Sequence, residues 1–473
     1  MKLSTKPPTQ IIIILIICLY STLALAVDTT FVSVVKVQIE GNKRTKNFII
    51  ERELDIKTGV KILKAELQER LLQNQKRISN TTLFSEVIVA YTSAIDNEIN
   101  ILITVKENWY LWAFPYASFN DRNFNEWRNR GSDFGRLNYG FFVDHKNFLG
   151  RMQKLEFVFE TGFTNRVTLK YDIPYLNKSG KNGLYSEFKY QNLANLNYTT
   201  KNNQLEFAYA DEQLKTQFEG KVKYRYREGF YHFHYAEVGY NTSSISDSLF
   251  TLNNNFLSNQ SKEQKFASLA YTYRYDKRDN INFPLKGKAL IADVRKYGLL
   301  PSDNFNSWQF KLAFADYYAL KQKWYFNYIL KATAFTNPDV PYNLLRGIGY
   351  DENIIRGYDL FVVNGSAYVS GRINIKNQLF SKTYNLKFIK SQQFNTLPIN
   401  FFVNAFLDAG YVHNKFPERI NNDLTNSRLT SYGIGLELNA AYNSVIRFNM
   451  SRNALNQTNF FINLQKDIWT KWF

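Results

Sequence analysis

Two stretches decide how this chain folds: "KLEFVFE" (Lys154–Glu160) and "RVTLKYDI" (Arg166–Ile173). In the first, Leu155, Phe157 and Phe159 fall on alternate positions; in the second, Val167, Leu169, Tyr171 and Ile173 do. A period of two places such residues on one face of a strand, with the Lys, Glu, Thr and Asp between them on the other. The pattern recurs without helical interruption in "QLEFAYA" (Leu205, Phe207, Tyr209), "WYFNYIL" (Trp324, Phe326, Tyr328, Leu330), "IRFNM" and "FFINL". An apolar face repeated strand after strand must be covered by a second sheet or by lipid.

Composition favours lipid. Aromatic residues make up 16% of the chain, with 32 Tyr and 39 Phe, and the single cysteine is Cys18. The first residues read "MKLSTKPPTQIIIILIICLYSTLALAVDTT". Lys2 and Lys6, the apolar run Ile11 to Leu25 and the small-x-small site Ala24-Leu25-Ala26 are the parts of a secretory signal over residues 1–26. Bulky Ile17 argues against lipid attachment at Cys18. The exported chain is then expected to carry no disulfide. Beyond residue 26 no run of 18 apolar residues occurs, which excludes spanning helices. A transmembrane barrel fits both facts, because each strand shows lipid only every second residue and aromatic girdles mark the interfaces. Residues 109–473, at ~10 residues per tilted strand plus turns, hold about 16 strands. A soluble sandwich suits so large and aromatic an exported chain poorly. The net charge of +18, or 18 − 2 = +16 without Lys2 and Lys6, is read mainly as basic solvated loops. Outer-membrane lipids are expected partners of such a surface. Nucleic acid is not.

Residues 29–108 have a different texture. A strand from Val34 to Glu40 turns at Gly41-Asn42, and Thr45 is the expected N-cap of a short helix through Leu54 with Phe48 and Ile49 on one face. Gly59 closes that unit. A second helix from Lys64 to Ile78 carries Leu67, Leu71 and Leu72 as its apolar stripe. Two strands follow, "SEVIVAYTS" and "EINILITVKEN", joined around Asp96-Asn97. The order β-α-α-β-β, with "GNKRTK", "IIERELDIKTG" and "TTLFSEVIV", resembles a POTRA domain. That is the periplasmic module of the outer-membrane assembly and two-partner secretion superfamily. The resemblance implies capture of client polypeptides on a free sheet edge, through main-chain hydrogen bonds.

The barrel region resembles the same superfamily, the BamA/TamA-like bacterial surface antigen family. "HKNFLGR" is similar to its early strand-turn signature and "YDIPYL" to the aromatic-proline turn after it. "YRYDKRDNINFPLKG", with Asp276, Arg278, Asp279, Pro284 and Gly287, resembles the mid-barrel turn. "LLRGIGYDENIIRGYD" resembles the long sixth outer loop with its Arg-Gly-aromatic tip, and "FVNAFLDAGYV" the strand that follows. The five occur in family order. The fold implied is mainly β: a 16-stranded antiparallel transmembrane barrel over 109–473, preceded by one α+β POTRA domain.

In that family the sixth loop folds back into the barrel. A tip inside a tube needs Gly357 for a tight turn and Tyr358 to pack on the wall. The Arg356 guanidinium needs a counter-charge, since an unpaired buried charge is costly. Asp408 is the candidate, a carboxylate matching the fork of donors. Phe406 and Gly410 share its strand face, with Gly410 leaving room for the loop. The alternative partners of Arg356 are Asp351 and Asp359. The last strand is expected at "NFFINLQKDIWTKWF", with Phe460, Ile462 and Leu464 towards lipid and Phe473 as the final aromatic. The family pattern wants a glycine near Gln465 and an aromatic near Ile468, so the strand's end is open. The resemblance implies a weak seam between this strand and the first, near "YLWAFPYASF".

Other chemistry is set aside. His232 and His234 in "YHFHY" share a strand face but lack a third ligand, and are read as lining the lumen rather than holding a metal. Asp276 and Asp279 belong to a turn signature rather than an acid/base pair. No phosphate-binding glycine loop, nucleophile elbow or zinc helix occurs. The expectation is a protein without enzymatic activity or cofactor, in the outer membrane of a Gram-negative bacterium with its POTRA domain in the periplasm. It assists insertion or translocation of client polypeptides, with periplasmic or lipoprotein partners. A single POTRA domain points to an accessory or specialised member. The alternatives are a passive or substrate-specific pore and a dedicated two-partner secretion transporter.

Overall fold

The computed structural model describes residues 30–464, apart from 94–96, 120–130, 133, 135–136, 163, 178, 211, 351–352, 388, 390–394 and 441–443. The expected signal, Asp96, Asp351, Gln465, Ile468 and Phe473 lie outside the described residues.

The N-terminal unit contains β1 (Phe31–Glu40), α1 (Asn47–Glu51), β2 (Lys61–Leu63), α2 (Lys64–Ser79), β3 (Phe84–Ser93) and β4 (Glu98–Glu107). Its sheet has the order β2-β1-β4-β3, with β1 and β4 parallel. The short β2, antiparallel to β1, is one strand more than the sequence suggested. Three residues are too few to express a period. The first helix starts behind Lys46 rather than Thr45. Thr45 is held elsewhere: its N–H donates to Glu107 at 2.6 Å and its hydroxyl lies 2.9 Å from the Tyr110 hydroxyl. Ile49 and Ile50 are both fully buried while Phe48 turns outward. A five-residue helix makes little more than one turn, so the sheet beneath it decides which residues are buried. On α2 the buried stripe is Leu67, Leu71 and Ile78, and Leu72 is exposed.

Among the described residues, 16 of the 18 remaining strands form one antiparallel sheet, from Leu111–Phe119 to Thr458–Leu464. Neighbouring strands pair mostly without slips, so each strand keeps one face out and one in. On Arg428–Asn439, Tyr432 and Ile434 are exposed whereas Ser431 and Glu437 are buried. Phe159, Leu169, Trp324 and Leu330 likewise face outward, and Lys154, Glu156, Lys170 and Asp172 line the lumen.

Two expectations fail. The "QLEFAYA" stretch is not a barrel strand: Gln204–Tyr209 pairs with Asn195–Lys201 in a separate hairpin, and Leu205 packs with Tyr350 and Val362. These strands of 6 and 7 residues are shorter than the ~9–11 that cross a bilayer. Alternation marked a one-sided strand but could not say whether lipid or a loop covers it. His232 and His234 do not line the lumen. They share the outward face of their strand with exposed Val238 and Tyr240 and hydrogen-bond Tyr273 and Tyr271, each at 2.7 Å. A period of two groups residues on a face without naming the face.

The hairpin, the helix Asp247–Leu252 and the loops 336–366 and 414–427 form a cap over one end of the barrel. Leu214, Leu249, Phe256, Phe305, Tyr342 and Ile420 are its apolar core.

Candidate functional site

The loop 336–366 enters the barrel from beneath this cap. Its tip sits against Asp408 on the strand Thr396–His413. Arg356 donates from Nε at 2.9 Å, from Nη2 at 2.5 Å and from its backbone N–H at 3.1 Å to the two carboxylate oxygens. The guanidinium also lies 3.6 Å over the Phe406 ring. Asp408 is 1% exposed, which makes this a dry, fork-to-carboxylate contact. A second cation, Arg372, reaches Asp408 at 3.3 Å and donates to the Ile354 carbonyl at 2.8 Å. Asp359 instead accepts from the Gly357 N–H at 2.8 Å.

Gly357 has φ of 88°, a region that L side chains rarely adopt. Its carbonyl accepts from Asn453 at 2.8 Å and from Asn459 at 3.1 Å. Tyr358 is fully buried, and its hydroxyl donates to the Thr430 carbonyl at 3.4 Å. A Cβ at Gly410 would lie 2.4 Å from Ile355 Cδ1, so the loop occupies the space that glycine leaves. The tip thus touches four consecutive strands, including the last. Below it, Glu437 gathers Lys376 at 2.7 Å, Asn404 at 2.9 Å and Arg447 at 3.3 Å. Sequence reading missed Glu437 and Arg372. Their signal was present as charges at inward positions, but pairing partners on other strands are invisible without the register.

The turn signature closes the opposite end. Arg278 grips Asp276 with Nε at 2.8 Å and Nη2 at 2.7 Å, and Arg274 joins at 2.8 Å. Asp279 caps the turn by accepting from the N–H groups of Leu285 and Lys286 at 3.0 and 3.1 Å. Pro284 is buried beside Phe283, whose ring lies 5.0 Å from that of Phe402 on the inner wall. A Cβ at Gly287 would come within 2.1 Å of the Lys277 carbonyl oxygen.

The N-terminal unit docks on the turns at this end. Glu53 receives Arg227 Nη1 at 2.6 Å and Nη2 at 2.7 Å, both side chains being buried. Burial pushes the Glu53 carboxyl up, but the hydrogen bonds and charge of Arg227, with the charge of Arg52, outweigh it and hold the group below the ordinary glutamate range. Arg52 lies 3.0 Å over the Tyr175 ring, and burial pushes its guanidinium down to about 10. Asn147 donates to the Thr45 hydroxyl at 2.9 Å. The Lys46 N–H donates to the Gly150 carbonyl at 3.0 Å. A Cβ at Gly150 would meet the Arg44 carbonyl oxygen at 2.2 Å, so "HKNFLGR" carries its glycine because another backbone presses on it. Asn80 bonds both Arg278 and Ile281 at 3.3 Å, joining the unit to the turn signature.

Among the described residues no ladder joins the last strand, Thr458–Leu464, to the first, Leu111–Phe119. Phe460 and Ile462 on the last strand face outward. The first strand pairs with its single neighbour through Pro115, opposite Phe141. A proline fits such a ladder when its missing donor faces the open side.

Residues 147–459 match the Omp85 superfamily domain, more than half of the chain. The chain belongs to the Omp85 superfamily. Residues 32–108 of this Omp85 protein match the POTRA family, the surface antigen variable number repeat. No curated protein sequence matches the chain. Among solved structures it is similar to BamA from Haemophilus ducreyi lacking POTRA domains 1–3, at 16% identity and a TM-score of 0.50 over 91% of this chain and 83% of that one. It is also similar to CdiB from Escherichia coli, at 10% identity and a TM-score of 0.51 over 92% and 74%. At such identities these structures speak for the fold. As an Omp85 barrel with a POTRA domain, the protein resides in the outer membrane. The docked end faces the periplasm and the capped end faces outward.

Proposed function

We propose that this Omp85 protein is a non-enzymatic factor that inserts or translocates client polypeptides at the outer membrane. Clients are captured on the POTRA sheet and delivered through the barrel seam. The observation that carries this reading is the tie between the loop tip and the last strand, beside a seam that shows no ladder among the described residues. A barrel built only as a wall gains by closing every edge, because unpaired N–H and C=O groups are costly in lipid. Here the edge is left available and is steadied from inside by a loop that has its own anchor at Asp408. At the periplasmic side β3 is the free edge of ordinary length, ten residues with Ile88 and Tyr91 exposed, suited to an added strand. The lipids of the outer membrane and periplasmic or lipoprotein partners complete the setting.

The test is a scan of cysteine pairs across Leu111–Phe119 and Thr458–Leu464 in full-length protein. An oxidised pair is expected to abolish insertion of a denatured barrel client into liposomes, and reduction to restore it. Insertion at the reduced rate by a seam that is quantitatively cross-linked would overturn the proposal. So would steady, large conductance in planar bilayers with no insertion activity, which marks a pore.

A further inference from the structure

Beneath the outer cap, on the inner wall between the strands Asn182–Leu193 and Lys215–Glu228, lies a cavity of about 280 Å3. Three cations line it: Lys189 and Lys215 from the wall and Arg346 from the inserted loop. The carboxylate in its lining is Glu219, which already lies 3.7 Å from Lys221. Among the described residues none of the three cations makes an ion pair with a carboxylate. Lys215 is 8% exposed, and its Nζ donates to Gln217 Oε1 at 2.9 Å, a neutral acceptor that Gln191 also uses at 2.7 Å. Arg346 rests 4.9 Å over the Tyr350 ring. The formal balance is therefore 3 − 1 = +2.

Elsewhere in this lumen the pattern is different. Asp408 takes two arginines, Glu437 takes a lysine and an arginine, and Glu237 takes Lys223 and Arg295. Buried charge in a confined space is neutralised as a rule, since desolvation without a partner is costly. A site that gathers three cations and withholds carboxylates departs from that rule in the direction of an anion. Cations gathered without carboxylate partners ask for a ligand with negative oxygens.

We propose that this cavity binds a phosphate monoester of a small polyol, such as a phosphosugar. Its two negative charges match the +2 balance, and Lys215, Lys189 and Arg346 supply charge-assisted donors. The volume corresponds to about nine waters at ~30 Å3 each, more than bare phosphate requires. The Phe256 and Tyr342 rings in the lining give an apolar face for the carbon skeleton, and the Asn197 and Asn241 amides there meet its hydroxyls. Arg346 also lines the larger chamber of about 1100 Å3, so the cavity borders the main lumen. Because Arg346 and Asn343 belong to the inserted loop, an occupied site would tie loop to wall well away from Asp408. The inference does not depend on client delivery.

Isothermal titration of the full-length protein in detergent, with glucose 6-phosphate, glucose and inorganic phosphate as probes, tests it. Glucose 6-phosphate is expected to bind saturably, phosphate more weakly, and glucose not measurably. Arg346→Gln, on a loop side chain exposed to the lumen, and Lys215→Gln are each expected to weaken glucose 6-phosphate at least about tenfold. Retained heat-modifiable mobility certifies the folded barrel, and Arg346→Gln keeps the test open should Lys215→Gln fail to fold. Vesicles carrying a phosphorylated glycolipid form a second arm: binding there alone, lost in Arg346→Gln, places the same phosphate chemistry on a lipid head group. Absence of saturable binding to every phosphorylated probe would overturn the proposal. Glucose binding equal to glucose 6-phosphate, or unchanged affinity in the folded variants, would do so too.

Discussion

The Gly357 carbonyl and the Asn459 amide meet at 3.1 Å, joining the loop tip to the strand that ends the barrel sheet. That strand pairs on one side only among the described residues, so its inward contacts matter more than those of an interior strand. Asn459→Ala removes the tie and leaves Arg356 and Asp408 in place. A hydrogen bond of this kind contributes about 1 kcal/mol, so hydrogen exchange across Thr458–Leu464 should quicken roughly fivefold. Unchanged exchange there would separate the tip from the seam.

The Arg356–Asp408 contact makes an asymmetric prediction. Removing either partner from a buried pair costs about 3–5 kcal/mol, because the other charge is stranded. Asp408 serves Arg372 as well, at 3.3 Å, so Asp408→Ala strands two cations and Arg356→Ala strands none on Asp408. Asp408→Ala should therefore be the more destabilising in urea unfolding followed by heat-modifiable mobility. The double variant should fall well short of the sum of the singles, since the two share one interaction. Additive effects would show that the pair does not act as a unit.

Gly410 tests the loop's position independently of charge. A side chain there would enter the space held by Ile355 and Ile348, with Cβ distances of 2.4 and 2.8 Å. Gly410→Val should push the loop off the wall at a cost of about 1–3 kcal/mol. Limited proteolysis of intact protein should then cut within 336–366, where the wild type is expected to resist. The barrel sheet itself should survive, since valine suits a strand.

Much of this was legible in the sequence, for a physical reason. A strand with one covered face must alternate, so "KLEFVFE" and "RVTLKYDI" announce their conformation, and the aromatic, disulfide-free composition points to lipid as the cover. Arg356, Asp408 and Gly410 could be placed together because an inserted loop demands a counter-charge and a clearance. The hidden part is what depends on register and on which side of a wall is wet. His232 and His234 share a face, yet only pairing with Tyr273 and Tyr271 shows that face to be outside. "QLEFAYA" alternates as well as any barrel strand, and only its short partner across Asn202-Asn203 reveals a hairpin. Glu53 has its partner 174 residues away in the chain.

That long-range pair makes the docking of POTRA on barrel sensitive to acid. Docked, Glu53 is held below the ordinary glutamate value of ~4.3; undocked, without Arg227, it lies nearer to that value. A carboxyl depressed by docking contributes stability that is fully present above its undocked value and is lost as pH falls through the docked one. Docking should hence be flat from neutral pH down to ~5 and loosen progressively below ~4.3. Glu53→Gln leaves Arg227 buried opposite a neutral amide, so docking should be weaker at neutral pH and should lose this acid dependence. Distances between spin labels on the POTRA surface and on a periplasmic turn report both effects. Parallel pH profiles for wild type and Glu53→Gln would mean that Arg52 on Tyr175 and the Asn80 contacts hold the two units together without this pair.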